Sequence, residues 1–225
     1  MSGTKGSRPR EVQDGYPTPH LYVRQIVKQL ISEGFITAET KVLDPAAGDG
    51  RVIRWIRREV GKEVETHACE IRKIHMARLE EVCNAVYLGD FLKYTTLPQY
   101  DLIITNPPYS CAEEYIRKSV TLLRKRGQLV LLLRLGFLAG QQRNEDLWRR
   151  YSYSGLYICT SRPSFVAGGN DSTEYGWVRF PRPGQEKKEL TLDRPRNVDV
   201  VHLPSLPRKH NYRGLEWPSW AIDAD

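Results

Sequence analysis

Asn106-Pro107-Pro108-Tyr109 is the tetrapeptide in this 225-residue chain whose residue types and order do the most chemistry. It directly follows an apolar run, Asp101–Thr105, and in an open parallel sheet ligands bind at the carboxyl ends of strands. The two prolines stiffen the loop and fix its backbone. The Asn106 side-chain carbonyl and the Pro107 main-chain carbonyl can then accept both hydrogens of an incoming amino group. An aromatic amine is a poor nucleophile because its lone pair is delocalised into the ring. Two such acceptors draw the nitrogen towards a tetrahedral shape and aim that pair at a methyl donor. Tyr109 offers a ring on which a planar base stacks. The plain alternative is a strand-terminating Pro-Pro turn.

A second signal is the run Val42-Leu43-Asp44-Pro45-Ala46-Ala47-Gly48-Asp49-Gly50, which reads as strand, small-residue loop and helix start. Gly48 and Gly50 permit close backbone approach to a ligand. The spacing is neither a dinucleotide fingerprint nor a phosphate loop. Asp44 and Asp49 would repel a pyrophosphate and favour a cationic ligand. S-adenosylmethionine, with an ammonium and a sulfonium, fits that charge. A glycine turn without a ligand is the alternative. An acid then closes each of the next two strands. Glu70 lies about 20 residues past the glycine loop, where a carboxylate grips ribose hydroxyls. Asp90 is placed to accept from an adenine amino group while Phe91 lines the ring. Taken singly, each acid reads as a solvated strand-end residue; four such features in the right order are harder to dismiss.

These features need elements to position them. Val42–Asp44, Val64–Cys69, Ala85–Leu88, Leu102–Thr105 and Gln128–Leu133 read as buried strands. Helical spacing marks His20–Ser32, Arg51–Val60, Arg72–Cys83, Ala112–Arg126 and Glu145–Ser152, with Gly34 ending the first. The alternation predicts an α/β fold: a parallel sheet with helices on both faces. Gly155–Thr160 and Glu174–Phe180 read as two appended antiparallel strands, which brings the sheet to seven. Residues 1–15 are read as a flexible basic arm, 16–180 as the catalytic domain and 181–225 as a Pro- and Trp-rich extension. That extension has no clear periodicity; wrapping the surface, forming a recognition element and partial disorder all remain open for it.

Composition narrows the partners. A net charge of +7 suits a polyanion, and becomes informative only beside a catalytic motif. The longest apolar run, near Gln128–Leu138, is interrupted by Arg134 and is too short to cross a bilayer. No apolar stretch follows the charged N-terminus as in a secretory signal, so a cytoplasmic protein is expected. The four cysteines and five histidines show no metal-ligand spacing, so no metal is expected.

Together these motifs resemble the amino-methylating DNA methyltransferases, specifically the adenine-N6 group whose cofactor motifs precede the catalytic one. The resemblance covers residues 16 to about 135 and is nearest to short single-domain versions encoded by phages and prophages. It carries Tyr16-Pro17-Thr18-Pro19, Asp44–Gly50, Glu70, Asp90 and Asn106–Tyr109 in the family's order. It implies a Rossmann-like class I methyltransferase fold with S-adenosyl-L-methionine as cofactor. Tyr16, Thr18 and Pro19 would flank the cofactor's methionine portion, and Asp44, Pro45, Ala46 and Gly48 would form the loop around its ammonium. Glu70 and Ile71 would hold the ribose side, Asp90 and Phe91 the adenine, with Asn106 bordering both sites. Asn106, Pro107, Pro108 and Tyr109 would carry catalysis, and Tyr109 and Phe165 would clamp the target base. The implied substrate is adenine in double-stranded DNA, flipped from its stack at a cost of about a few kcal/mol.

Larger relatives carry a separate recognition domain, for which only Ser110–Arg126 and the stretch after Arg143 offer room here. Basic clusters at Arg124–Arg126, Arg143, Arg149-Arg150 and Pro207–Arg213 are candidate phosphate contacts. Two rivals share the motif or the fold: an enzyme acting on RNA or protein glutamine, and a catalytically silent DNA-binding accessory protein. Ser would more often stand at Asn106 in an N4-cytosine enzyme. Target sequence, oligomeric state and biological role are not written in these motifs.

Overall fold

Period-two alternation along the central strands sorts their side chains onto two faces, and both faces are apolar. Val42, Leu102, Ile104, Val130 and Leu132 pack with one buried cluster, while Leu43, Ile103, Leu129, Leu131 and Leu133 pack with another. Strands buried on both faces read as continuous apolar runs, as these do. The computed structural model describes residues 17–161, 173–183 and 198–206. Its strands, in chain order, are β1 (Lys41–Asp44), β2 (Glu65–Glu70), β3 (Ala85–Leu88), β4 (Tyr100–Thr105), β5 (Leu123–Arg134), β6 (Gly155–Cys159), β7 (Tyr175–Pro181) and β8 (Asp199–Leu203). They form one sheet in the order β3-β2-β1-β4-β5-β7-β6-β8. The pairings from β3 through β5 are parallel, β7 runs antiparallel to both β5 and β6, and β8 runs parallel to β6.

The helices are α1 (His20–Ser32), α2 (Arg51–Val60), α3 (Met76–Glu80), α4 (Ala112–Thr121), α5 (Gln141–Glu145) and α6 (Leu147–Arg150). Ile26, Val27 and Leu30 of α1 share the first cluster with Ile53, Trp55 and Ile56 of α2. Tyr115 and Ile116 of α4 and Trp148 of α6 fill the second. Helices therefore cover both faces, as the alternation predicts. Gly34 ends α1 at φ 77°, with the Phe35 N–H reaching back to the Leu30 carbonyl at 2.9 Å. Among the described residues no helix is long and apolar enough to cross a membrane.

The sheet has eight strands where seven were expected. The additional strand, β8, comes from the extension that showed no periodicity. Only Leu203 in it is buried, so no alternating pattern marks it. The expected helix Arg72–Cys83 contracts to a 3₁₀ turn and α3, in which Leu79 alone is buried. The helix expected to reach Arg126 stops at Thr121, because Leu123 already pairs with Tyr100 as the start of β5. The helix expected over Glu145–Ser152 shortens to α6, and a separate short helix, α5, ends at Glu145 just before it.

A buried cation ties the late strands together. Arg179 on β7 donates to Tyr157 Oη at 3.1 Å, to Gln128 Oε1 at 3.1 Å and to Asp199 Oδ2 at 3.2 Å. Tyr157 Oη in turn donates to Glu33 just past α1. Gly155 leaves the room for this, since a Cβ there would stand 2.9 Å from Arg179 Nε. Removing the guanidinium leaves two buried partners, Tyr157 and Gln128, without their donor, while Asp199 is exposed to water, so Arg179→Ala is expected to cost about 2–3 kcal/mol. Equilibrium denaturation measures it; a loss below about 1 kcal/mol would show that the network contributes little.

Candidate functional site

β1 lies between β2 and β4, so the strand order reverses direction there, and ligands in such sheets sit at the carboxyl edge of that point. Asp44 ends β1 and is 1% exposed. The register sets Asp44 beside Ala68, so β2 continues two residues further and brings Glu70 up to the glycine loop. There the Ala47 N–H reaches the Cys69 carbonyl at 3.0 Å, and the Gly48 N–H donates to Glu70 Oε2 at 2.6 Å. Gly50 opens α2 at φ 81°, and a Cβ there would meet Leu79 at 2.9 Å, so glycine is needed for both backbone and packing. β3 ends at Leu88, and Asp90 just beyond it accepts from the Leu92 N–H at 2.9 Å.

The N-terminal motif is fastened to the same edge by a residue that sequence reasoning missed. Arg51, itself buried, lies across Asp49 through Nε and Nη2, at 3.0 and 2.7 Å, and donates from Nη1 to the Thr18 carbonyl. Burial pushes the Asp49 carboxyl up, but the Arg51 fork outweighs it and holds the group below the usual carboxylate range. Trp55 Nε1 donates to His20 Nδ1 at 3.2 Å, which fixes the start of α1 against α2. Thr18 is buried and Pro19 half-buried beside it.

Asp44 has a different environment. Its Oδ1 accepts from the Ala46 N–H at 3.2 Å, yet among the described residues no cation pairs with it. Burial raises its carboxyl to about 7; the Thr105 hydroxyl and Ala46 N–H oppose the rise, and Glu70 and Asp49 add to it. A cationic group such as an ammonium would complete a carboxylate held in this way. Thr105, the last residue of β4, is fully buried, and nothing in an apolar strand sequence separates its hydroxyl from one filling a core.

After Thr105 the chain enters Asn106–Tyr109 at the same edge. Asn106 is half-buried and Pro107 buried. The Pro108 carbonyl is taken by the Cys111 N–H at 3.1 Å in a 3₁₀ turn. The Pro107 carbonyl takes no hydrogen bond from the described residues and so remains open as an acceptor. The Arg134 guanidinium lies over the Tyr109 ring, 5.0 Å from its centre, and donates from Nε to Tyr175 Oη at 3.3 Å. Tyr175 is tilted against Tyr109 at 5.9 Å. Arg134 interrupts the apolar run at the end of β5, and that interruption is the sequence signal that could have found it.

Thr18, Pro19, Asp44, Pro45, Ala46, Gly48, Glu70, Ile71, Asp90 and Asn106–Tyr109 thus all stand at one edge of the sheet. Ile71 is 54% exposed there. Phe91 is placed differently: it is buried against Tyr115, with Lys118 over its ring, so it supports the edge from beneath. Tyr16 and Phe165 lie outside the described residues, as does the Pro207–Arg213 cluster. Arg124–Arg126 stand at the opposite end of β5, eight to ten residues from Arg134 and roughly 30 Å away along the strand. Arg143 is occupied by the Phe137 and Ala139 carbonyls, and Arg150 pairs with Asp146. Among the described residues no group of His, Cys, Asp or Glu is arranged to hold a metal ion.

The chain matches no sequence-family model. No curated relative matches it. Solved structures do. A candidate class I S-adenosylmethionine-dependent methyltransferase from Listeria monocytogenes is 11% identical with a TM-score of 0.63, over 86% of this chain and 68% of that one. A candidate RNA methyltransferase from Pyrococcus horikoshii is 17% identical with a TM-score of 0.60, over 81% and 92%. The M protein of the type I restriction enzyme EcoKI is 14% identical with a TM-score of 0.60, over 87% and 51%, so this chain spans about half its length. These likenesses show the fold, which is the class I, Rossmann-like methyltransferase fold.

Proposed function

We propose that this chain transfers a methyl group from S-adenosylmethionine to an exocyclic amino nitrogen, and that the acceptor is N6 of adenine in double-stranded DNA. The observation that supports the proposal is that the buried Asp44 and the Asn106-Pro107 pair stand on neighbouring strand ends of a methyltransferase fold. Thr18, Pro19 and Asp44 would hold the methionine portion of the cofactor, Glu70 and Ile71 its ribose side, and Asp90 its adenine. When bound, it supplies an electrophilic methyl carbon on a sulfonium. The chain's own part is orientation: Asn106 and Pro107 take the two amino hydrogens, and Tyr109 receives the flipped base. No general base has to act before attack, since the proton can leave after the nitrogen becomes cationic.

The restriction-enzyme M protein among the structural neighbours and the charge of +7 support DNA. RNA is the second reading, favoured by the Pyrococcus horikoshii neighbour, 92% of which this chain covers. The test offers methyl-labelled S-adenosylmethionine with unmethylated DNA, RNA or cell protein as acceptor. Label in DNA is expected; label in RNA alone would shift the substrate, and label in none would remove the proposal.

Arg134 has a place in this reading as the cation that backs the base-stacking ring. A desolvated cation–π contact is worth up to about 2 kcal/mol. Arg134→Ala is therefore expected to raise the KM for DNA about tenfold with an unchanged cofactor Kd. Steady-state kinetics at saturating cofactor checks this, and an unchanged KM would remove Arg134 from the substrate site.

A further inference from the structure

Glu70 is buried, and the hydrogen bonds on its carboxylate are already numerous. Oε1 accepts from the Arg72 N–H at 2.9 Å and from Arg72 Nε at 2.8 Å, while Oε2 accepts from the Gly48 N–H at 2.6 Å. A carboxylate offers about four acceptor sites, so these three donors leave a single one, on Oε2. A ribose diol needs two. Two of the three donors are main-chain groups of the glycine loop and the turn after β2, and neither can withdraw without unfolding that edge. The third is a side chain, 29% exposed, whose donors water can satisfy. Its guanidinium also lies along the glycine loop, since a Cβ added to Gly48 would stand 3.7 Å from Arg72 Nη2.

We infer that Arg72 is an affinity-setting latch on Glu70, which the ribose hydroxyls of the cofactor must displace in order to bind. The inference rests on the proposed cofactor reading and adds to it the residue that opposes binding. Arg72 holds Glu70 in place while the site waits, at the expense of affinity. It swings outward when one hydroxyl takes its place on Oε1 and the other takes the site already free on Oε2. Arg72 is then a positioning residue with an unusual sign: removing it improves binding.

The experiment is calorimetric titration of wild type and Arg72→Gln with S-adenosylhomocysteine and with its 2′,3′-dideoxy analogue. Losing a competing, partly exposed hydrogen bond is expected to tighten S-adenosylhomocysteine about fivefold. The dideoxy analogue, which has no hydroxyls to compete with Arg72, is expected to bind both proteins equally. Arg72→Lys keeps the charge but not the Nε donor, and gives the same direction should the glutamine variant fold poorly. Equal or weaker binding by the variants, with wild type binding normally, overturns the latch. No binding by wild type at all would instead contradict the cofactor reading itself.

Discussion

Asp44→Asn is expected to make the ligand-free protein more stable above pH 7 and to remove its affinity for S-adenosylmethionine. The sign follows from burial. The Asp44 carboxyl sits at about 7 in the fold against an ordinary value of 3.8, so the folded state binds this proton more tightly than the unfolded chain does. Keeping the group ionised above pH 7 therefore costs stability, by an amount bounded at about 4 kcal/mol. The cost shrinks as pH falls from about 7 and is gone below the unfolded value, where both states are protonated. Asparagine keeps the size of the side chain and removes the charge. Denaturant unfolding at pH 8 should show the variant ahead by a few kcal/mol, and at pH 4 the two proteins should nearly coincide.

The same carboxylate is what a cationic ligand would pair with, so binding moves in the opposite sense. Wild-type affinity for the cofactor should rise with pH through about 7, as Asp44 becomes ionised, and level off above it. Asp44→Asn should lose both the affinity and that pH dependence. A variant that gains no stability at pH 8 would mean that the buried charge is already compensated. One that still binds with the wild-type pH profile would mean that the ammonium site is elsewhere.

Asn106→Ala is the second change with a large expected effect, and it separates transfer from binding. Alanine removes one of the two acceptors that hold the target amino group and leaves the Pro107 carbonyl alone. Losing a preorganised polar group at a reacting centre costs about 10²–10³ in kcat, and more where orientation is also lost. Asp44, Glu70 and the Arg51–Asp49–Thr18 fastening lie on other strand ends and loops, so cofactor affinity should stay within about twofold. Rapid-quench single turnovers alongside calorimetry measure the two quantities separately. Equal loss of both would point to a collapsed edge.

Sequence reasoning reached the strand-end residues for a definite reason. Each one directly follows or closes an apolar run, and such runs mark strands buried on both faces; Asp44, Glu70 and Asn106 could be placed without seeing the fold. What escaped it depends on register and on side-chain reach. Arg51 acts on Thr18 across 33 positions, and no local pattern announces such a bond. Arg72 reads as one more charge after a strand until Glu70 is seen to be buried beneath it. Phe91 was expected to line a ring, but its packing on Tyr115 depends on where α4 crosses, which β3 cannot reveal. β8 escaped because a short strand with a single buried residue leaves no alternation to read. The cluster at Arg124–Arg126 shows the same limit from the other side, since a run of charge in the sequence carries no information about which end of a strand it occupies.

The measurement that bears most directly on the central claim is nucleoside mass analysis of unmethylated genomic DNA after incubation with the protein and methyl-labelled S-adenosylmethionine. The account predicts labelled N6-methyladenine with wild type and none with Asn106→Ala at matched cofactor saturation. Unmodified adenine with wild-type protein that demonstrably binds the cofactor, or N6-methyladenine formed equally by the Asn106→Ala variant, would contradict it.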